Sequence, residues 1–240
     1  MIKKRDFYHQ RIKYSFNWNL KNHKIKLNQL LANYKDFKRL GSYLKKIYEG
    51  TVPNDLFNRN DITRVSSFRV KGLKNGFIRS FSKKLIRSGK IECLDSDSKL
   101  SSLTQKVFET FKKNSISRKP GHDPVLKNIL IKDKDSIAIE IPVWMKLNNL
   151  PITGHIDLIQ IVNNTIRIID YKPEGNFLHS LPQVASYGLL IKKLLKPKNL
   201  ICASFNIKET WIYEPEILLK DIDKYLKEQG VTQNPWNLYF

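Results

Sequence analysis

The sequence predicts an α/β domain with a mixed central sheet over residues 101–240, preceded by a basic, mainly helical region over residues 1–100. Two observations support this fold class. Apolar runs of strand length lie between amphipathic segments with helical periodicity in the second half of the chain. In addition, 41% of the 240 residues are hydrophobic, including 12 Phe, 10 Tyr and 4 Trp, which is typical of a packed core.

Four segments of the first half have helical periodicity. The longest covers residues 26–49, and shorter helices are expected over 62–74, 76–88 and 101–113. The segment 88–99 between the last two is interpreted as a connector. The apolar face of the longest segment comprises Leu27, Leu30, Leu31, Tyr34, Phe37, Leu44, Ile47 and Tyr48.

The strands follow a Pro- and Gly-containing turn at residues 117–124. Residues 136–147, 152–162 and 165–172 are rich in Ile and Val, which favours three strands. The Asn-Asn pair at 163–164 predicts a tight hairpin, because Asn tolerates a positive φ angle.

A helix is then expected over 181–195, with Ser180 as its N-cap and Pro182 in its first turn. Residues 199–213 predict one long strand or a strand pair, and 215–229 a closing helix. The order of helix, three strands, helix, strand and helix is that of an α/β domain.

The charge of the chain is strongly and unevenly basic. The net charge is +21, and residues 1–100 hold 24 Lys and Arg against 8 Asp and Glu, whereas residues 101–240 hold 19 against 14. This excess favours a polyanionic partner, with the aromatic residues interleaved at 5–24 available to stack bases. The alternative is a solvated lysine-rich surface produced by a biased genome composition.

Cysteine use and hydropathy exclude several classes. Cys93 and Cys202 are far apart, so neither a disulfide framework nor a zinc or iron–sulfur site built on cysteines is expected. The start of the chain lacks an apolar signal-peptide segment, and no apolar run is long enough to span a bilayer. We therefore expect a cytoplasmic protein in a reducing compartment, with no membrane partner.

Two aspartates and a lysine lie within the second and third predicted strands. Asp170 and Lys172 are two residues apart, so they project on one side of their strand. A hairpin centred between Asn163 and Asn164 would place Asp157 opposite Asp170. Two opposed carboxylates on an apolar background repel each other, and a divalent cation would remove that cost.

These acids, with the backbone carbonyl of Tyr171, form a set of hard oxygen ligands suited to Mg²⁺ or Mn²⁺. Lys172 could orient or deprotonate a water molecule, or stabilise the charge of a phosphodiester transition state. The alternative interpretation is two strand-end acids and a surface lysine.

Three further residues belong to this pattern. Gly154 precedes Asp157 by three residues, which leaves room for close backbone approach to a ligand. Gln183 and Tyr187 are four residues apart on the next predicted helix, so they share a face that can turn toward the strand ends. There they could bind phosphate or hold Lys172 in position, unless they are simply a buried tyrosine and its neighbour.

The ordered motifs "GHID", "IIDYK" and "QVASY" resemble those of the PD-(D/E)XK nuclease superfamily, in its RecB-like branch, over residues 120–213. The resemblance implies a restriction-endonuclease-like αβββαβ core without an iron–sulfur cluster, since the four cysteines of several relatives are missing. It implies that Asp157 and Asp170 bind metal, that Lys172 is catalytic and that Gln183 and Tyr187 support the site.

Relatives in this branch often use an upstream histidine as a third metal ligand. His122 lies where this ligand is expected, although its Gly/Pro setting is unlike a helix. His155, on the same strand face as Asp157, is the rival candidate. Glu140 lies on the first strand and is interpreted as a simple surface or strand-edge acid.

The function expected from these features is a metal-dependent deoxyribonuclease. The family resemblance implies that its substrate is single-stranded or end-containing DNA. Two alternatives remain open, a non-catalytic nucleic-acid-binding protein on the same fold and a nuclease directed at RNA.

Overall fold

The computed structural model describes residues 1–29 and 34–240. Leu30, Leu31 and the side chain of Tyr34, which belong to the apolar face expected for the first helix, lie outside the described residues. Eight α-helices are described: α1 (Leu20–Gln29), α2 (Tyr34–Glu49), α3 (Asn54–Asn58), α4 (Asn75–Arg87), α5 (Lys99–Lys113), α6 (His122–Lys132), α7 (Phe177–Leu195) and α8 (Asp223–Glu228).

The described residues form one mixed, mostly antiparallel sheet of nine strands, which is not closed into a barrel. Its strands are β1 (Ile2–His9), β2 (Ile12–Asn19), β3 (Thr63–Arg64), β4 (Ile91–Leu94), β5 (Ser136–Leu147), β6 (Leu150–Val162), β7 (Thr165–Tyr171), β8 (Leu200–Phe205) and β9 (Thr210–Tyr213). Their order is β1-β2-β5-β6-β7-β8-β9-β4, and β3 pairs with β6 off this path. The β7–β8 and β3–β6 pairs are parallel. The α/β class and the mixed sheet expected from the sequence are confirmed.

Two hydrophobic clusters cover the sheet. The larger one includes residues of α2, α4 and α7, with Leu44, Ile168 and Tyr187 among them. The smaller one contains α5 and α6 residues together with Ile169 and Tyr171. Ile168 lies in the larger cluster and Ile169 in the smaller one, because consecutive side chains of a strand such as β7 point to opposite faces of the sheet.

The region of residues 1–100 is not mainly helical at its start, which corrects the sequence-based expectation. Residues 2–19 form a β-hairpin whose second strand pairs with β5, at Asn17–Ile139 and Trp18–Ala138. The buried aromatic residues of β1 and β2 lie toward the end of each strand, and in β2 both faces are buried from Phe16 to Asn19. Phe7, Phe16 and Trp18 are therefore core residues and cannot stack bases, whereas Tyr8 is half exposed.

Several predicted boundaries differ from the observed ones. Residues 62–74 do not form a helix but a short strand followed by a 3₁₀ turn at Val65–Ser67. The segment interpreted as a connector contains β4, which pairs with β9. The closing helix is divided into a π-helical turn at Leu218–Ile222 and the short α8.

Helix α7 begins four residues earlier than expected. Asn176, not Ser180, is its N-cap, since the Asn176 Oδ1 accepts a hydrogen bond from the Leu178 N–H at 2.8 Å. Pro182 consequently lies inside the helix rather than in its first turn. Residues 199–213 form the strand pair β8–β9, and helices over 76–88 and 101–113 are confirmed to within two residues.

Buried polar contacts attach the N-terminal residues to the central sheet. The Asn22 side chain donates hydrogen bonds to the backbone carbonyls of Asp133 and Ser136, at 3.0 and 2.9 Å. Asn19 donates to the carbonyl of Leu130 at 3.0 Å. These amides satisfy carbonyls at the end of α6 and the start of β5, which would otherwise be buried without partners.

No helix in the described parts of the chain combines the length and apolarity needed to cross a lipid bilayer.

Close packing of α7 against β8 provides a test of the fold. A Cβ atom at Gly188 would lie 2.5 Å from Cys202 Sγ and 2.7 Å from Pro215 Cβ. We expect Gly188→Ala to lower the free energy of unfolding by about 1–3 kcal/mol, measured by urea denaturation. Gly76→Ala on α4, where a Cβ meets no atom within 4 Å, should leave it unchanged or raise it by up to about 1 kcal/mol. Equal stability of Gly188→Ala and wild type would contradict this packing.

Candidate active site

The β6–β7 hairpin has the register that the Asn-Asn turn predicts. Asn163 and Asn164 have φ angles of 45° and 62°, as a type I′ turn requires. The pairs run from Val162–Thr165 to Leu158–Ile169, so the next opposed positions are Asp157 and Asp170. On the other side of β6, Ile139 pairs with Leu158 and Ile141 with Ile156.

Glu140 lies between these last two pairs and therefore faces Asp157 across the strands. Three acids, Glu140, Asp157 and Asp170, consequently form a row across β5, β6 and β7. We call them the carboxylate row. The interpretation of Glu140 as a surface or strand-edge acid is wrong, since only 16% of its side chain is exposed.

The regular alternation of β5 and β6 is interrupted at this row. Ile139 and Leu158 belong to the cluster under α5 and α6, whereas Ile141 and Ile156, two residues away, belong to the larger cluster. Glu140 has a φ angle of 52°, a left-handed conformation that is rare for a glutamate. Strain of this kind costs about 1–3 kcal/mol and is concentrated at functional sites.

Burial and mutual repulsion change the protonation of the carboxylate row. Asp157 and Asp170 are 5% and 1% exposed. Desolvation, with the charges of Asp170 and Glu140, raises the pKa of Asp157 well above its ordinary value. Desolvation, with the charges of Asp170 and Asp123, raises the pKa of Glu140 to about 8. The Glu140 Oε2 atom is also buried without a hydrogen-bond partner.

Lys172 is the cation that lies against the row. Its Nζ atom is 2.6 Å from Asp170 Oδ2 and donates a hydrogen bond to Gln183 Oε1 at 3.1 Å. Burial opposes the charge on Lys172, but the carboxylates of Asp170 and Asp157 outweigh this effect and raise its pKa. The ammonium is therefore retained.

Gln183 and Tyr187 approach from α7 and orient these groups. The Gln183 Nε2 atom donates to Asp170 Oδ1 and to the Tyr187 hydroxyl, both at 3.4 Å. One amide thus contacts an acid, the lysine and the phenol. Of the two roles considered for this pair, holding Lys172 in position agrees with these contacts.

The close approach at Gly154 is made by a side chain of the protein itself. A Cβ atom there would lie 2.5 Å from Tyr187 Cε1. The space attributed to a ligand is thus filled by the Tyr187 ring, which corrects that interpretation. Gly154 allows α7 to pack closely on β6.

His122 approaches the row from the α6 side. It is the first residue of α6, so its Gly/Pro setting does begin a helix, contrary to expectation. Its Nε2 atom is 3.7 Å from Asp157 Oδ2, and its ring lies edge-on to Tyr171, with ring centroids 5.2 Å apart. Burial lowers the pKa of His122 although Asp170 opposes the shift, so the ring is neutral near pH 7. A neutral imidazole is the form that binds metals.

His155 also reaches the row, from the N-terminal side. Its Nε2 atom is 3.7 Å from Glu140 Oε2, and its ring packs on Tyr14, with centroids 4.1 Å apart. Desolvation, with the neighbouring charges of His9 and Arg64, lowers its pKa well below the ordinary value. Both histidine candidates are thus near the acids, on opposite sides.

The groups present fit a hard divalent cation. Ligand atoms of Glu140, His155 and Asp157 lie within 4.8 Å of one another. The Asp157 Oδ2 accepts a hydrogen bond from the Tyr171 N–H at 2.9 Å, which places the backbone of Tyr171 beside the carboxylates. Two buried acids that repel each other, an unpartnered glutamate oxygen and neutral imidazoles are the donor set expected around such an ion.

Comparisons with known proteins leave the family of the chain open. No protein-family model matches it, and no curated protein sequence does. One solved structure, titled "Crystal structure of SSO0001", is 14% identical and covers 87% of this chain and 89% of its own, with a TM-score of 0.35. A likeness at that TM-score supports no conclusion about this chain.

The raised pKa of Glu140 predicts a specific pH dependence of stability. The folded protein keeps a proton that the unfolded chain loses near its ordinary pKa of 4.5, so ionisation of Glu140 costs stability as the pH rises toward 8. In EDTA, Glu140→Gln should therefore gain at least about 1 kcal/mol of unfolding free energy relative to wild type between pH about 5 and about 8.

The measurement is urea denaturation of both proteins at each pH, so that the contribution of histidines away from Glu140 cancels in the difference. Removing the Glu140 charge also lowers the pKa of Asp157, which changes the difference in the same direction. A difference between variant and wild type that is constant with pH would contradict the assignment.

Proposed function

We propose that this protein is a metal-dependent nuclease that hydrolyses phosphodiester bonds of DNA. The observation that carries the proposal is the carboxylate row with Lys172 fixed against it by an amide from α7. The ordered motifs that resemble those of RecB-like nucleases contain Asp157, Asp170, Lys172 and Gln183, but not Glu140.

Asp157, Asp170 and the backbone carbonyl of Tyr171 would hold Mg²⁺ or Mn²⁺. A further ligand would come from His122, 3.7 Å from Asp157, or from Glu140 and His155, whose ligand atoms lie within 4.8 Å of that of Asp157. When bound, the cation neutralises phosphate charge and lowers the pKa of a water molecule. Lys172 keeps its proton beside the acids and would donate a hydrogen bond to the anionic phosphate oxygens as negative charge develops there. Gln183 holds that ammonium in place, and Tyr187 holds Gln183.

A helix with a basic face is joined to the start of α7 by a hydrogen bond. Helix α4 exposes Arg79, Lys83 and Arg87 at intervals of four residues, which places them on one face. Ser82 of the same helix donates a hydrogen bond to Asn176 Oδ1 at 3.2 Å, and Asn176 caps the end of α7 that carries Gln183. DNA phosphates bound along this stripe of α4 would lead to the carboxylate row.

DNA is preferred as the substrate because of the family resemblance, and RNA is the second candidate. The same surface and fold also suit a protein that binds nucleic acid without cutting it. The burial of acids that repel each other favours the enzyme, since nucleic-acid binding alone gives no reason to place three carboxylates beside phosphates.

The catalytic assignment predicts that single substitutions abolish cleavage. We expect Asp170→Ala and Lys172→Met to reduce Mg²⁺- or Mn²⁺-dependent cleavage of labelled DNA by about 10²–10⁴-fold, because each removes a group that acts on the transition state. EDTA should abolish the wild-type activity. Asp55→Ala, at an exposed acid of α3, is the matched control and should cut normally.

Undiminished cutting by both site variants would refute the site. Salt-sensitive binding with no hydrolysis of any DNA would favour the non-catalytic alternative, and a parallel RNA panel tests the second substrate.

The stripe on α4 predicts a change in salt dependence. Each phosphate contact contributes about −0.9 to the slope of log K against log salt on duplex DNA, so the double variant Lys83→Ala/Arg87→Ala should reduce the magnitude of the slope by about 2. Fluorescence anisotropy at several salt concentrations measures this slope. Lys45→Ala on α2, an exposed lysine paired with Glu49, should leave it unaltered. An unchanged slope in the double variant would place the DNA elsewhere.

A further inference from the structure

A cleft of about 500 Å³ opens beside the carboxylate row, outside the carboxyl ends of the parallel strands β7 and β8. Sheets of α/β proteins commonly bind ligands at such strand ends. The volume lies in the range of about 300–1,000 Å³ that is typical of sites for small organic groups. Its walls come from residues 119–120, 173–175 and 206–209, and from Phe108 of α5.

The cleft is connected to the proposed active site by short stretches of chain. Pro173 directly follows Lys172, and Pro120 precedes His122 by two residues. One or two residues of backbone span at most about 7 Å, so a strand cut at the carboxylate row would have its neighbouring nucleotide near this cleft.

The walls of the cleft present flat apolar surfaces. Phe108, Pro120 and Pro173 line it. Phe108 is only partly buried and packs against neither hydrophobic cluster, whereas Phe111, on the same helix, packs against the smaller one. The Phe108 ring lines the cleft and does not belong to either core cluster, so a ligand in the cleft can contact it.

The charges of the cleft favour a base over a phosphate. The Lys119 Nζ atom pairs with Glu174 Oε1 at 2.8 Å, and Lys208 is followed by Glu209 in the same wall. The two lysines are thus offset by two glutamates. A phosphate needs unbalanced positive charge, whereas a neutral base needs only a stacking surface and polar edges.

We propose that this cleft holds one unpaired base of the polynucleotide, next to the phosphate that is cut, with the base stacked on Phe108. The inference rests on the proposed function and narrows it, since the strand must be single or locally opened to supply that base. A base in an intact duplex would first have to leave its stack, which costs a few kcal/mol.

The test measures binding rather than cleavage, in the Asp170→Asn background. A fluorescent oligothymidylate and a blunt duplex of the same length are titrated by anisotropy. Phe108→Ala should bind the oligothymidylate at least about 5-fold more weakly, because a stacked base contributes about 1–3 kcal/mol. The salt slope should not change, because no phosphate contact is lost. Affinity for the duplex should also stay the same.

Three variants serve as controls. Phe108→Tyr keeps the ring and should bind like the parent, and Phe108→Leu keeps apolar bulk without a π face and should bind weakly. Ile131→Ala removes an exposed apolar side chain from α6 and should have no effect. The melting temperature of each variant is measured to check that it is folded. If Phe108→Ala does not fold, the comparison of Phe108→Leu with Phe108→Tyr tests the inference.

Unchanged oligothymidylate affinity in Phe108→Ala and Phe108→Leu would overturn the inference. So would an equal loss on the duplex, or a salt slope reduced by about one unit, which marks a phosphate contact. Because hydrolysis is not measured, this result is independent of whether the carboxylate row cuts DNA.

Discussion

The main energetic constraint on this structure is the repulsion between three carboxyl groups that lie together in a buried position. Glu140, Asp157 and Asp170 lie on adjacent strands where water cannot screen them, and Lys172 is the cation ion-paired with the row among the described residues. The raised pKa values of Glu140 and Asp157 express the unbalanced repulsion. A protein can relieve this energy by protonation or by a bound cation, and only the second leaves the acids ionised at neutral pH.

The N-terminal strands pack against β6 and help to hold the carboxylate row in place. Tyr14 of β2 packs on His155, and His9 Nε2 lies 3.0 Å from Thr153 Oγ1. The short strand β3 adds parallel pairs at Ile152 and Thr153. These contacts hold β6 just before Asp157, where the alternation of the strand is interrupted. Strands β1, β2 and β3 therefore contribute to the geometry of the site as well as to the charge of the surface.

The sequence was sufficient to predict the part of the site that the β6–β7 hairpin forms, namely the pair of Asp157 and Asp170. The Asn-Asn turn sets the register, and the register alone places Asp157 beside Asp170. The sequence analysis undervalued Glu140, because its strand alternates regularly in sequence and nothing there signals the left-handed φ angle. The N-terminal hairpin was missed because its lysines and arginines suggested a binding surface, whereas alternate Phe and Trp residues face the core. The start of α6 at His122 was missed because Gly121 and Pro124 were taken as signs of a turn, whereas Gly121 is the N-cap of the helix and Pro124 lies in its first turn, where both residues are tolerated.

The loop at residues 173–176 connects the three parts of the proposed mechanism. It begins after Lys172, lines the cleft beside Phe108 and ends at Asn176, which caps α7 and accepts a hydrogen bond from Ser82 of the basic helix α4. A nucleic-acid strand bound along α4, as proposed, would therefore meet Lys172 before its next base reached the cleft. Since the loop is fixed at Asn176 and by the pairing of Lys172 N–H with the Phe205 carbonyl at 2.9 Å, the spacing between phosphate site and base site is set by the fold. A fixed spacing between a phosphate site and a base site would suit a polynucleotide, which can occupy both sites at once, whereas an isolated nucleotide needs no second site.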